Sequence, residues 1–181
     1  MGNIKFLPFL LLFLGVTTHI YSQNSANATA SLRIIKPIAI AETVALEFGT
    51  IITSTTQTGS VTIASATSIA TYVTVVPYTF QGAATPSAAK FKITGDPAAS
   101  YTLTLPSAIY LGLDGASSES VTGTLTVTDI ETNLLGTAST GSLSLPSTGI
   151  ATLLLGGKLN VGLAQDSGIY IGTYIVQVAY Y

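Results

Sequence analysis

The C-terminal residues 168–181, GIYIGTYIVQVAYY, constrain the fold more than any other stretch of the chain. They contain no proline and no charged residue, and large apolar side chains recur at every second position, which is the period of a β-strand. One face carries Tyr170, Gly172, Tyr174, Val176, Val178 and Tyr180. The opposite face, from Ile169 to Ala179, is mostly apolar too. We therefore predict a long strand covered on both faces, at the centre of a sheet packed in a sandwich.

Residues 1–22 have the pattern of a secretory signal peptide. Lys5 precedes the apolar run FLPFLLLFLGV at 6–16, and small and polar residues follow near Ser22. The run is shorter than the roughly 20 residues that a membrane-spanning helix needs. We therefore expect export to the periplasm, the cell surface or the medium, with cleavage near Ser22. No transmembrane segment is expected after cleavage, and residues 23–181 are expected to form a single domain.

The chain beyond residue 22 lacks side chains on which many active sites depend. The only histidine of the full sequence, His19, lies in the predicted signal peptide, so residues 23–181 contain none. The full sequence has no cysteine. Histidine is the commonest general base and metal ligand, and cysteine supplies disulfides and thiolate sites. Charged residues make up only 8% of the chain and form no basic cluster that would attract nucleic acid. We expect no enzyme activity, no cofactor, no metal and no nucleic-acid partner.

The rest of the chain alternates between strand patterns and turn residues. Residues 28–35 alternate apolar and more polar positions before Pro37, which predicts a first strand with one buried face. Its apolar positions are Ala28, Ala30, Leu32 and Ile34. Residues 89–94 and 101–105 flank the turn Gly95-Asp96-Pro97, a pattern that predicts a β-hairpin. About nine strands and no helical period predict an all-β fold, either a sandwich or an eight-stranded β-barrel.

Acidic and aromatic residues supply the remaining candidates for a site. Asp129 and Glu131 would share one strand face about 7 Å apart, a spacing that suits a hard cation, although a solvent-facing pair is the plainer interpretation. Aromatic rings outside the regular strands are candidates for a surface that binds glycan or protein, because flat rings can stack on sugars. These candidates are Tyr72, Tyr78, Phe80 and Tyr110.

An ordered set of short motifs resembles one bacterial family, DUF4402, over nearly the whole chain beyond the signal peptide. The motifs are ATA at 28–30, PI at 37–38, LEFGTI at 46–51, GSVTI at 59–63, FKITG at 91–95, YTLTLP at 101–106, LGGKL at 155–159 and GIY at 168–170 continuing to Tyr180. More distantly, the chain is similar to spore coat protein U domains and chaperone–usher pilins. The resemblance implies an immunoglobulin-like antiparallel β-sandwich that is secreted.

The pilin-like resemblance also implies self-association, in which a strand of one subunit completes the sheet of the next with the help of periplasmic chaperone and usher machinery. The residues that would take part are Ala28, Ala30, Leu32, Ile34, Tyr170, Tyr174, Val176, Val178 and Tyr180. We therefore expect an exported structural or adhesive cell-surface protein, a pilin-like fibre subunit in its most specific form. The alternative is a self-contained envelope module that binds glycan or protein through its loops near 78–87 and 110–120.

Overall fold

A computed structural model describes residues 24–78, 83–115 and 124–181, and these ranges contain thirteen strands and no helix. The strands are β1 (Ala39–Val44), β2 (Ile51–Ile52), β3 (Gly59–Ile63), β4 (Ala70–Val73), β5 (Val76–Pro77), β6 (Ala89–Thr94), β7 (Ser100–Thr104), β8 (Ile109–Leu113), β9 (Leu125–Thr132), β10 (Thr140–Ser144), β11 (Ile150–Val161), β12 (Tyr170–Ile171) and β13 (Gln177–Tyr180). The chain divides into two units, Met1–Arg33 and Ile34–Tyr181, and the second contains every one of these strands.

The strands form three antiparallel sheets. The large sheet has the order β1-β6-β11-β9-β8-β12, and β3 also pairs with β11 and carries β4 on its other side. A three-stranded sheet has the order β10-β7-β13, and β2 pairs with β5 in a small ribbon. The predicted all-β, sandwich-like class is confirmed, with more and shorter strands than the sequence pattern indicated.

The hydrophobic core consists of inward-facing residues from both of the larger sheets. Alternation places these residues on one side of each strand, as in β6, where Ala89, Phe91 and Ile93 are buried and Lys90 and Lys92 are exposed. The largest fully buried side chains are Tyr101, Ile63, Ile93, Leu103, Ile109, Leu153, Leu155, Val61 and Val127.

The central strand is β11, not the C-terminal stretch. Its first half, residues 150–155, pairs with β6, its second half, 157–161, pairs with β3, and its opposite edge pairs with β9. Gly156 lies where the neighbour changes, and a Cβ there would collide with the Ile63 carbonyl oxygen and lie 2.7 Å from the Ser65 nitrogen. Glycine therefore permits this three-way junction because it lets neighbouring backbone approach closely.

Residues 168–181 instead lie at the ends of two sheets, so the prediction of a central strand covered on both faces was wrong. They form β12, which pairs only with β8, and β13, which pairs only with β7, among the described residues. The period of two is confirmed, since the even-numbered residues are half-buried from Tyr170 to Tyr180. The odd-numbered face is exposed, because no layer of the described chain covers it.

The predicted hairpin between β6 and β7 does not form. β6 pairs with β1 and β11 in the large sheet, whereas β7 pairs with β10 and β13 in the three-stranded sheet. The turn between them is bound to the turn that precedes β11, since Gly95 N–H donates to the Gly149 carbonyl at 2.9 Å. Gly, Asp and Pro here mark a crossing between sheets, which needs the same turn chemistry as a hairpin.

The predicted first strand over residues 28–35 was also wrong, because the first strand of the structure is β1. Residues 24–37 have no regular secondary structure and are exposed throughout. The alternation that indicated a strand is present, but strand formation also needs a neighbouring backbone to complete the ladder. We call residues 28–35 the N-terminal segment.

Gly156→Ala tests whether β11 depends on close backbone approach. We expect the free energy of unfolding to fall by roughly 2–3 kcal/mol or more, because the added methyl group meets backbone atoms that cannot move independently. Gly162→Ala is the matched control, since its Cβ would meet only the end of the flexible Gln165 side chain, at 2.9 Å. Urea unfolding of both variants measures the difference, and equal stabilities would contradict the junction described above.

Candidate functional site

The C-terminal run, residues 168–181, is the stretch on which the candidate assembly residues meet. Its inner face consists of Tyr170, Tyr174, Val176, Val178 and Tyr180, all half-buried and packed against the core. The other four candidates, Ala28, Ala30, Leu32 and Ile34, are exposed. The structure thus separates the predicted assembly residues into a half-buried sheet edge and an exposed segment.

The Tyr180 hydroxyl joins three parts of the fold. It accepts a hydrogen bond from the Asp96 backbone N–H at 2.6 Å and donates to the Lys36 carbonyl at 2.9 Å. Asp96 lies in the turn between β6 and β7, and Lys36 lies just before β1. One side chain near the end of the chain therefore fixes the position at which the polypeptide enters its first strand.

Tyr174 reaches the large sheet in a different way. Its ring packs edge-on against Phe91 of β6, with ring centroids 6.3 Å apart and planes at 82°. Its hydroxyl is buried and has no hydrogen-bond partner within the described ranges. Burial, and to a smaller extent the negative charge of Glu42, raise the pKa of Tyr174 well above its ordinary value. The neutral hydroxyl is therefore retained at physiological pH.

Tyr170, at the start of the run, is tied to the loop before it. Its hydroxyl donates to the Asp166 carbonyl at 2.9 Å and accepts from the Gln165 amide at 2.8 Å. Its pairing partner is Leu113 in β8. Side-chain hydrogen bonds thus anchor both ends of the run, and residues 172–176 between them belong to no ladder.

The outer face of the run is an exposed apolar surface that the sequence interpretation placed in the core. Ile169, Ile171 and Ile175 are 71%, 53% and 70% exposed. The sequence signal for these residues was clear, but an apolar second face can be covered either by the same chain or by a partner. Periodicity alone does not distinguish these cases.

The aromatic candidates for surface binding do not form one surface. Tyr72 is half-buried on β4 against the core, Tyr78 is exposed after β5, and Phe80 lies outside the described residues. Tyr110 on β8 lines an open pocket of about 370 Å³ beside the C-terminal run. The pocket lining, which the sequence interpretation missed except for Tyr110 and Tyr174, is Thr104, Pro106, Ala108, Tyr110, Thr173, Tyr174, Ile175 and Gln177.

The acidic residues Asp129 and Glu131 on β9 are both part of the local structure of the sheet. Asp129 is exposed with a φ of 50°, at the place where β9 has one more residue than β11 opposite it, so it forms a β-bulge. Glu131 accepts hydrogen bonds from the Ser65 backbone N–H at 3.0 Å and from the Ser65 hydroxyl at 3.2 Å. Within the described ranges, no group of three or more histidine, cysteine, aspartate or glutamate residues is placed to hold a metal ion.

A pair of tyrosine-to-phenylalanine variants tests the two anchoring modes. Tyr180→Phe removes a hydroxyl with two partners, and we expect the free energy of unfolding to fall by about 1–2 kcal/mol. Tyr174→Phe removes a buried hydroxyl without a partner, so we expect stability to be unchanged or about 1 kcal/mol higher. Each variant is the control for the other in the same urea titration. A larger loss for Tyr174→Phe than for Tyr180→Phe would contradict these assignments.

The part of the chain that the structure describes has no helix long and apolar enough to cross a membrane.

Comparison with known proteins gives one match. No curated protein and no solved structure matches the chain significantly. Residues 38–180 match a domain of unknown function, DUF4402, over a range that begins just before β1 and ends at the last residue of β13. Because the match covers most of the chain and the whole strand framework, this protein belongs to the DUF4402 family.

Proposed function

We propose that this protein is an exported structural or adhesive component of the cell surface that assembles with copies of itself by strand addition. In this assembly the N-terminal segment of one copy is a strand donor and pairs with a sheet of another copy. The interaction uses backbone hydrogen bonds and apolar side chains and needs no catalytic chemistry.

The observation that carries the proposal is the exposure of an apolar, strand-patterned segment. Leu32 and Ile34 are each 85% exposed, and the strand period places them on one face with Ala28 and Ala30. Burying a leucine or isoleucine side chain stabilises a protein by about 1.5–3 kcal/mol, so these two residues provide a substantial driving force for association.

The position of the segment supports the same interpretation. The family match begins at residue 38, and the unit that contains all the described strands begins at Ile34. Most of the N-terminal segment therefore lies outside both the family match and the unit that contains the described strands. The signal-peptide pattern over residues 1–22 supports export, which would bring the segment to the compartment where a fibre grows.

A second candidate function rests on the pocket beside Tyr110. Two tyrosine rings together with Thr104, Thr173 and Gln177 offer stacking faces and hydrogen-bonding groups, the combination that suits a sugar. A self-contained binding module would use this pocket as a monomer, whereas a fibre subunit would form multimers. The state of association therefore distinguishes the two functions.

Leu32→Asp/Ile34→Asp tests strand donation. We expect the wild-type exported protein to form multimers that persist without boiling in detergent, and the double variant to remain monomeric. The physical reason is the loss of two apolar anchors, worth together about 3–6 kcal/mol, or at least a hundred-fold in association constant.

The matched control is Leu163→Asp, which adds a charge at another exposed leucine outside the N-terminal segment. Electrophoresis with and without boiling and mass determination in solution measure the outcome. A wild-type protein that is monomeric at all concentrations, or multimers unaffected by the double variant, would refute strand donation by this segment. Binding of oligosaccharide by the monomer would then favour the pocket.

A further inference from the structure

We infer that the pocket around Asp129 binds a sugar unit that carries an amine, and that this pocket and the pocket beside Tyr110 form one extended glycan site. The inference rests on the second candidate function and deepens it, since it names the class of glycan that the site selects. It is independent of strand addition. We call the new site the Asp129 pocket, and its polar residues are Ser107, Asp129, Thr137 and Ser139.

The Asp129 pocket lies between two connections that a hydrogen bond holds together. Ser107 belongs to the connection from β7 to β8, and Thr137 and Ser139 belong to the connection from β9 to β10. The Leu105 backbone N–H donates to the Ser139 carbonyl at 2.8 Å and so joins the two connections. The pocket volume of about 340 Å³ is within the range of about 300–1,000 Å³ that small-molecule sites occupy. The fold itself therefore forms a cavity large enough for a sugar unit.

The bulge in β9 turns Asp129 toward this pocket. Leu125 and Val127 face the core, and a regular strand would place Asp129 on the same face two residues later. The extra residue instead leaves Asp129 exposed and puts Ile130 in the core. Asp129 has a left-handed φ of 50°, which aspartate tolerates better than most residues. Because bulges recur where a side chain is redirected beside a functional site, this one is a reason to assign a ligand to Asp129.

The carboxylate of Asp129 has no partner among the described residues. None of them donates a hydrogen bond to it, and Lys158, which lies opposite the preceding residue Thr128, forms no ion pair with it. The other polar side chains of the pocket are neutral hydroxyl groups. A ligand that complements these groups carries one positive charge and several hydroxyl groups. A glycan with a uronate, sulfate or phosphate group would be repelled by the carboxylate.

The remaining residues of the pocket favour a sugar ring over a simple amine. Leu105, Pro106 and Ile130 supply its apolar part, and Leu105 and Ile130 are buried. A sugar ring has an apolar face of C–H groups and a periphery of hydroxyl groups. It can therefore contact the apolar part and the hydroxyl groups of the pocket at the same time. An amino sugar also provides the positive charge that complements Asp129.

Pro106 connects the Asp129 pocket with the pocket beside Tyr110, because it lines both. The Tyr110 pocket is lined by no aspartate, glutamate, lysine or arginine. It therefore suits a neutral sugar unit, and the Asp129 pocket supplies the selection for an amine. A single oligosaccharide would occupy both pockets, with neighbouring units on either side of Pro106.

NMR titration of the exported protein with two oligosaccharides of equal length tests this selection. One is a glucosamine oligomer, in which every unit has an amine, and the other is the N-acetylglucosamine oligomer, in which each amine is a neutral amide. We expect the wild-type protein to bind the glucosamine oligomer about ten-fold more tightly at low salt, because its ammonium group forms a charge-assisted hydrogen bond with Asp129. Tyr110→Leu is expected to weaken the binding of both oligomers by a similar factor.

Asp129→Asn is expected to abolish the preference, so that the two oligomers bind within about two-fold of each other. Asparagine has the shape of aspartate and also tolerates a left-handed φ, so the bulge is kept. Asp114→Asn is the matched control, because Asp114 is also exposed, has a φ of 52° and lines neither of the two pockets. This control is expected to keep the wild-type preference.

Equal binding of both oligomers by the wild-type protein, or a preference for glucosamine that survives Asp129→Asn, would overturn the Asp129 pocket and leave glycan binding beside Tyr110 intact. Binding of neither oligomer would also overturn this inference. The second candidate function fails separately if Tyr110→Leu leaves the affinity for both oligomers unchanged.

Discussion

Backbone pairing around β11 is the constraint on which the rest of this structure depends. The chain has no cysteine, so no disulfide supports the fold, and the described ranges contain no helix. Strand pairing and apolar packing are therefore the main sources of stability. β11 gathers β6, β3 and β9 around a single strand, and Gly156 allows this because no side chain separates the adjoining backbones. The position of every other strand in the large sheet follows from this junction.

A sheet built outward from a central strand has edge strands, and the features of each edge decide whether a further strand can pair with it. β1 ends the large sheet with a bulge between Glu42 and Val44, a feature that discourages further pairing. The C-terminal run contributes the end strands β12 and β13 to two sheets, β13 lies beside β1, and the outer isoleucines of the run are exposed. An unprotected edge is a hazard for a protein that must stay monomeric, and it is useful to one that assembles. In the assembly proposed above, the exposed N-terminal segment would supply the added strand.

The sequence predicted which side chains share a strand face better than it predicted which strands pair with each other. Alternation correctly placed Tyr174, Val176 and Val178 on one face of the run, because side-chain period is a local property of the strand, but the expectation that the opposite face is covered too was wrong. It did not predict that these residues lie at the edge of a sheet. Strand pairing depends on residues far away in the sequence, and the local side-chain period contains no information about them. The same reason explains the error at Gly95-Asp96-Pro97, where the turn joins two sheets and not two paired strands. The N-terminal segment was taken for a strand of the domain because its pattern is that of a strand, and the pattern does not state which chain supplies the partner.

The central claim is that residues 28–35 form no strand within their own chain and become a strand only in a second copy. Amide hydrogen exchange of the exported protein, followed by mass spectrometry in its monomeric and assembled forms, tests this claim most directly. The account predicts nearly unprotected exchange over residues 28–35 in the monomer and exchange at least a hundred-fold slower after assembly. Strong protection of this segment in a protein that is demonstrably monomeric, or no protection in the assembled form, would contradict it.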